Sequence, residues 1–579
     1  MHSPPDHTLQ DTIVPAPGEP SIVTTPLGRP LPDVTVTEFM EAAVRGFEDR
    51  PAMDFLGRKT SYGELLSQID RACRGLQDLG VGPGSQVGLC LPNCPYYVVA
   101  YYAALKAGAT VVNFNPLYVE REMLALAQDS GISIMITLDN AEIFAKVSTL
   151  PGRTALEKVI VCPLSGALPM IKGFLHDILK SSNVARVPDS PVYMTWQCLL
   201  ENDGAPDPVK LDPKTAVAVF QYTGGTTGLP KAAMLSHFNL VSNVIQSQDW
   251  FPEIRRGEER MLAVIPFFHV FAMTSAMNYG VSIGAELVLV PRFDAELVVR
   301  TIIRTRPTLF PAVPTVYSAI LDVHERLKGD MSSLRFGMSG GAPLPVELKE
   351  TFEQKTGCRL MEGYGLSETS PVACCNPFDG RPVKAGSVGL PVPGTTIEVR
   401  SPHDPEVIMP AGEKGEICIR GPQVMSGYWN RPEETHDSFV QGALRTGDVG
   451  YIDSEGYLFL VDRIKDVILC GGYNVYPRVI EEALYRHPAV AEAIVIGLPD
   501  DYRGEAPKAF VRLLPGTEAS GEDILEFLKD HLNRIEIPRE VEIRDDLPRT
   551  AVGKLSKRAL REEEAALARE EERRRQKNA

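Results

Sequence analysis

The stretch TAVAVFQYTGGTTGLPKAAMLSHFNL, Thr215–Leu240, decides how the rest of the chain is read. Its first nine residues, Thr215 to Thr223, are an apolar run rich in β-branched and aromatic side chains, which predicts a strand. The strand enters a loop in which the nine positions Thr223–Lys231 hold three glycines, three threonines and one lysine. Ser236 stands where it can cap a following helix. A loop at the carboxyl end of a strand is where α/β folds place their ligands. Glycines let backbone amides approach an anion, threonine hydroxyls add donors and the lysine adds charge, so the loop has the makings of a phosphate cradle. It is not the common nucleotide-binding P-loop. That motif follows Gly-Lys with Ser or Thr for magnesium, whereas Pro230 precedes Lys231 and Ala232 follows it. A magnesium ligand must then come from elsewhere in the chain.

Outward from this loop the texture stays α/β. The runs GSQVGLCLPNC (Gly84–Cys94) and GATVVNFNP (Gly108–Pro116) read as strands and PYYVVAYYAALKAG (Pro95–Gly108) as a helix covering them. Around residues 460 to 475 the pattern changes to short β-like runs, AEAIVIGLP and KAFVRLLPG, and a helix capped from Ser520, which predicts a small α+β domain. The tail REEEAALAREEERRRQKNA is a charge run and reads as a solvated, partly helical end. The Pro- and Thr-rich start reads as a loosely ordered arm over residues 1–34.

With 579 residues, 44% of them hydrophobic, the chain can bury several cores. Its net charge of -16 argues against nucleic acid as a partner. Ten cysteines occur without a CxxC pair, so a structural zinc site is not expected, and no signal-peptide pattern opens the chain; both point to a cytoplasmic protein with reduced thiols. Met261–Ala285 carries no charged residue but is interrupted by Pro266, His269, Asn278, Gly280 and Gly284, which favours buried core pieces over a membrane span. Ala167–Ser182, ALPMIKGFLHDILKSS, spaces apolar residues as a helix does, with lysines opposite; packing on the protein body is the first reading and peripheral membrane contact the second. Oligomeric state is left open, a homodimer among the options.

Four more clusters carry chemistry: SGGAPL (Ser339–Leu344), EGYGLSETSP (Glu362–Pro371), RTGDVGYIDSEGYLFLVDRIKDVILCGGYNVYP (Arg445–Pro477) and PRTAVGKLSKRAL (Pro548–Leu560). With the opening loop, their order and spacing resemble the adenylate-forming, AMP-binding superfamily in its acyl-CoA synthetase branch, most closely the long- and medium-chain fatty acid–CoA ligases, over roughly residues 35 to 560. The resemblance implies an α/β fold: a large multi-subdomain N-terminal domain over 35–464 and a small mobile α+β lid over 465–562, with 563–579 as charged tail. ATP, Mg2+ and coenzyme A are the implied cofactors, and a small carboxylic acid the substrate.

Residue by residue, the resemblance implies that Thr223, Gly224, Gly225, Thr226, Thr227 and Lys231 hold phosphates and stabilise the leaving pyrophosphate. Gly340, Gly341 and Ala342 would line adenine, and Tyr364, beside Gly365, would stack on it. Ser367 stands where the family often has Thr, next to the α-phosphate, and Glu368 matches the magnesium ligand, filling the gap left by the loop. Asp448 matches the ribose binder and Arg463 points to the ribose and phosphate side. Lys554 matches the catalytic lysine between carboxylate and α-phosphate. Lys465 aligns with the hinge on which the small domain rotates between half-reactions, and Gly471, Gly472 and Tyr473 would then face the thiol tunnel. His269 matches the gate of the acyl pocket, whose walls would include 268–278, Val313 and Gly340.

Plain structural roles compete with each assignment: a core histidine for His269, a core ring for Tyr364, a surface ion pair for Asp448 and Arg463, an exposed lysine for Lys554. At the level of function the competitors are the same chemistry on dicarboxylic (pimelate-like), aryl or other organic acids, an amino-acid-activating module, and a non-catalytic scaffold. An amino-acid module is disfavoured because FFHVFAM offers no acid for an amine, and a scaffold because Lys554, Glu368 and Asp448 are all present.

Overall fold

The computed structural model describes residues 12–16, 18–173, 183–223, 230–251, 253–470, 473–500, 503–514, 516–550 and 553–578, with the backbone alone at 474, 571, 572 and 575–578. The chain divides into two compact units: residues 1–13, 23–397 and 419–444 form the first, and 14–22, 398–418 and 445–579 the second.

In the first unit, Val217–Thr223 is a strand, as its apolar run predicts, and lies in a seven-stranded sheet beside Thr110–Asn113, which in turn neighbours Gln86–Cys90. These strands are parallel and nearly wholly buried, so their sequences read as continuous apolar runs rather than alternating ones. The helix Pro95–Lys106 covers them, with buried residues on all its faces. The segment after the glycine loop is a strand, Lys231–Ser236, antiparallel to Val217–Thr223. The two strands that flank the glycine loop therefore pair as a hairpin, a feature that short apolar runs do not reveal because they lack a period of their own. Ser236 does cap the helix His237–Trp250: its Oγ accepts from Asn239 N at 3.1 Å, and Asn239 Oδ1 accepts from Ser236 N at 2.9 Å.

A nine-stranded sheet completes this unit. Its centre runs parallel through Arg359–Gly365, Phe336–Gly340, Leu309–Ala312 and Arg260–Ala263, so the segments that follow these strands share one edge. The charge-free stretch 261–285 enters as strand, short helix, a π-helix over Met273–Asn278 and a further helix, all buried. Among the described residues no helix is long and apolar enough to cross a membrane. Of the amphipathic stretch 167–182, residues 174–182 lie outside the described residues; Ala167 and Leu168 are buried while Met170 and Ile171 are 90% and 76% exposed.

The second unit contains an antiparallel pair, Ala443–Ile452 with Leu458–Arg463, and a five-stranded sheet of Tyr473–Val475, Ile468–Cys470, Gly504–Leu513, Val490–Asp500 and Glu540–Ile543. The helices Pro477–Tyr485 and Gly521–Leu528, the latter capped by Ser520, bury apolar faces on that sheet. Part of the arm that reads as loosely ordered is held, and the charged tail is helical as it reads. Ser21 N donates to Met409 O, and Val399 N to Ser21 O, so that Ile22–Thr25 is a strand: edge pairing orders a short segment that composition alone marks as an arm. The terminal helix Lys557–Asn578 is anchored at its start, where Glu564 meets Lys508 at 3.0 Å and Glu563 meets Arg544 at 2.9 Å. All ten cysteines are free thiols; burial pushes Cys90, Cys94 and Cys375 up to about 12, which keeps them protonated.

Candidate active site

The first unit gathers the residues assigned to nucleotide and acid at the carboxyl ends of its strands. Thr223 closes one strand of the hairpin and Lys231 opens the other; Gly224, Gly225, Thr226 and Thr227 lie outside the described residues. The two sheets are fastened together at these ends. Gln221 Nε2 donates to Phe268 O at 3.1 Å, Tyr97 OH to Phe267 O at 2.8 Å, and Asn93 Nδ2 to Ala263 O and Ile265 O at 3.1 and 2.9 Å. The hairpin and the segment bearing His269 are thereby brought side by side.

Gly340 ends its strand opposite Gly363 on the next, and Gly341 follows with φ +80°, a conformation that favours glycine. The turn through Ala342 is tied to the neighbouring strand because Leu344 N donates to Glu362 Oε1 at 3.2 Å. That strand carries Tyr364, buried at 8% exposure, and ends at Gly365, where a Cβ would fall 1.7 Å from Pro371 O. Only glycine fits there. Ser367 and Glu368 then form a short 3-10 turn with Thr369, packed against both strands of the hairpin. Met425 N donates to Glu368 O at 2.8 Å, and Tyr428 OH donates to Glu368 Oε1 at 2.8 Å. Burial, with the Glu368 charge and hydrogen bond, raises the Tyr428 phenol, so it stays a neutral donor.

On the acid side, Val313 is buried and leads into the helix Pro314–Leu327. His269 is half-buried, and its Nδ1 accepts from Phe271 N at 3.3 Å, capping its own short helix. The Phe271 ring lies against Gly340, where a Cβ would come within 3.1 Å of it. A glycine assigned to adenine thus also sets the room beside the His269 segment.

The second unit brings together Asp448, Arg463, Lys465 and Lys554. Asp448 and Arg463 face each other in the antiparallel ladder, with Arg463 Nε 3.0 Å from Asp448 Oδ1. Asp448 is 6% exposed while the Arg463 side chain is 52% exposed, so the pair joins a buried carboxylate to a guanidinium that reaches solvent. Lys554 is half-buried and held by a tight turn in which Thr550 N donates to Lys554 O at 2.7 Å. Burial and the Arg463 charge push its amine down to about 8, against the opposing pull of Asp448. Lys465 lies in the 3-10 turn Ile464–Asp466, where burial and Arg463 also lower its amine and Asp466 pairs with Arg561 at 2.8 Å. Gly471 and Gly472 lie outside the described residues; Tyr473 is 66% exposed.

Tyr428, Gln221 and Met425 are the residues that sequence reasoning missed. Gln221 lies in the opening stretch but has no assigned role there, Tyr428 and Met425 lie outside the quoted clusters, and their partners lie 47 to 60 positions away or reach them through backbone atoms.

The chain belongs to the AMP-binding enzyme family, whose pattern matches residues 40–429, with the family's AMP-binding enzyme C-terminal domain at 479–554. It is 40% identical over 538 residues to the long-chain-fatty-acid–CoA ligase of Bacillus subtilis, covering 92% of this chain and 95% of that one. It is 36% identical over 538 residues to the ligase of the same name from Escherichia coli O6:H1, covering 91% and 94%. In three dimensions it is similar to the anthranilate CoA ligase AuaEII, solved in complex with anthranoyl-AMP, with TM-score 0.82, 25% identity and coverage of 93% and 99%.

Proposed function

We propose that this protein is an ATP-dependent, AMP-forming ligase that joins long- or medium-chain fatty acids to coenzyme A. What supports the substrate class most is the 40% identity over 538 residues to a long-chain-fatty-acid–CoA ligase, covering 92% of this chain.

In the first half-reaction the fatty carboxylate attacks the α-phosphorus of ATP, giving acyl-AMP and pyrophosphate. In the second, the CoA thiol attacks the acyl carbon of that mixed anhydride and AMP leaves. The hairpin loop with Lys231 holds the phosphates, and its donors strengthen as charge builds on the leaving pyrophosphate. The turn Gly340–Ala342 and the ring of Tyr364 hold adenine; Asp448 accepts from the ribose hydroxyls. Lys554 offsets the repulsion between carboxylate and α-phosphate, and Ser367 donates beside the same phosphate.

Magnesium fits Glu368. Among the described residues no three His, Cys, Asp or Glu side chains gather into a metal cage. A single carboxylate next to a phosphate-holding hairpin is what Mg2+ uses, since it keeps several waters and shares its shell with substrate phosphates. When bound, it would neutralise phosphate oxygens. Lys465 serves as the pivot between the two half-reactions, and Gly471, Gly472 and Tyr473 serve the thiol.

The test is AMP release from ATP and Mg2+ with acids from acetate to oleate plus adipate, pimelate and benzoate, with and without CoA. CoA-dependent turnover rising toward long monocarboxylates is the expected result. Turnover confined to dicarboxylates or aryl acids would keep the mechanism and replace the substrate.

A further inference from the structure

We infer that Tyr428 is a positioning residue of the adenylation step, one side chain that registers the metal-holding acid Glu368 against the phosphate-holding Lys231. The inference rests on the reading of Glu368 as the residue that would hold Mg2+. Tyr428 OH donates to Glu368 Oε1 at 2.8 Å, while Lys231 Nζ lies over the same ring, 5.4 Å from its centroid. The first contact holds one oxygen of the carboxylate; the second is a cation–π contact that holds the ammonium over the same ring. A neutral hydroxyl suits this place. It orients the acid without cancelling its charge, where a lysine or arginine would compete with the cation.

The tyrosine is itself held by both strands that flank the phosphate loop. Met234 N donates to Gly427 O and Trp429 N to Ala232 O, each at 2.9 Å, so the tyrosine's segment pairs with Lys231–Ser236. Tyr428 N donates to Thr435 Oγ1 at 2.9 Å. Beyond it, Trp429 Nε1 donates to Asp129 O at 3.1 Å and Arg431 to Asp129 Oδ1 at 2.9 Å. The other oxygen of Asp129 accepts from Tyr222 OH at 2.8 Å, on the residue before Thr223. These anchors lock the ring where it meets both partners, which is what preorganisation of a charged site requires.

Tyr428→Phe keeps the ring under Lys231 and removes only the O–H. The probe is Mn2+ with ATP, titrated calorimetrically into the full-length protein and compared with wild type and Glu368→Gln. A charge-assisted hydrogen bond is large enough that Tyr428→Phe should bind Mn2+–ATP about ten-fold more weakly. Its melting temperature should not move, raised Mg2+ should restore pyrophosphate release, and acyl-CoA formation from supplied acyl-AMP should stay at the wild-type rate. If Tyr428→Phe binds as wild type while Glu368→Gln loses affinity, the positioning role is wrong and the reading of Glu368 stands. If Glu368→Gln also binds as wild type, the reading of Glu368 falls and this inference with it. A loss shared by both half-reactions, with a lower melting temperature, would mark Tyr428 as packing and overturn the inference equally.

Discussion

Lys554 shows how much one side chain's chemistry depends on its neighbours. An exposed lysine would stay charged throughout the neutral range, whereas burial and Arg463 bring this amine down to about 8. A lowered lysine loses its charge as pH rises through the folded-state value. The kcat/KM of adenylation, which reports the free enzyme, should therefore fall as pH passes about 8, and pyrophosphate release across pH 6.5 to 9.5 checks it. Lys554→Ala should abolish acyl-AMP formation yet leave thioester formation from supplied acyl-AMP largely intact. Comparable loss of both in folded protein would remove the assignment. Lys554, Glu368 and Asp448 could be singled out in the sequence because few side chains can do the work proposed for them and each lies in a short ordered motif. Tyr428 was not legible, since a tyrosine gains a role here only from a carboxylate 60 positions away.

Elements were legible where a local rule made them. Ser236 and Ser520 predicted their caps, and the apolar runs predicted the central strands, because hydrogen-bond geometry at a helix start and burial of both sheet faces act over a few residues. The hairpin around the glycine loop and the edge strand Ile22–Thr25 escaped, because both depend on a partner strand. At this scale Gly365 is the sharpest test. A methyl group there meets Pro371 O at 1.7 Å, so Gly365→Ala must displace the turn that carries Ser367 and Glu368. Displacement by about 1 Å costs roughly 100-fold in rate. Pyrophosphate release from Gly365→Ala should drop on that order while circular dichroism shows the fold retained.

At the scale of the molecule, one protein runs two chemistries, and Lys465 is the proposed pivot between them. Proline locks φ, so Lys465→Pro should slow thioester formation from supplied acyl-AMP far more than pyrophosphate release. Equal effects on both steps would remove Lys465 from that role. The sequence by itself determined the α/β class and the family, since strand burial and helix capping act through neighbouring positions. Only the tertiary structure decided that the Phe271 ring lies against Gly340, that Asp448 pairs with Arg463, and that Tyr428 meets both Glu368 and Lys231. The reason is physical: a side chain's charge state and freedom are set by what packs against it, and those contacts join positions far apart along the chain.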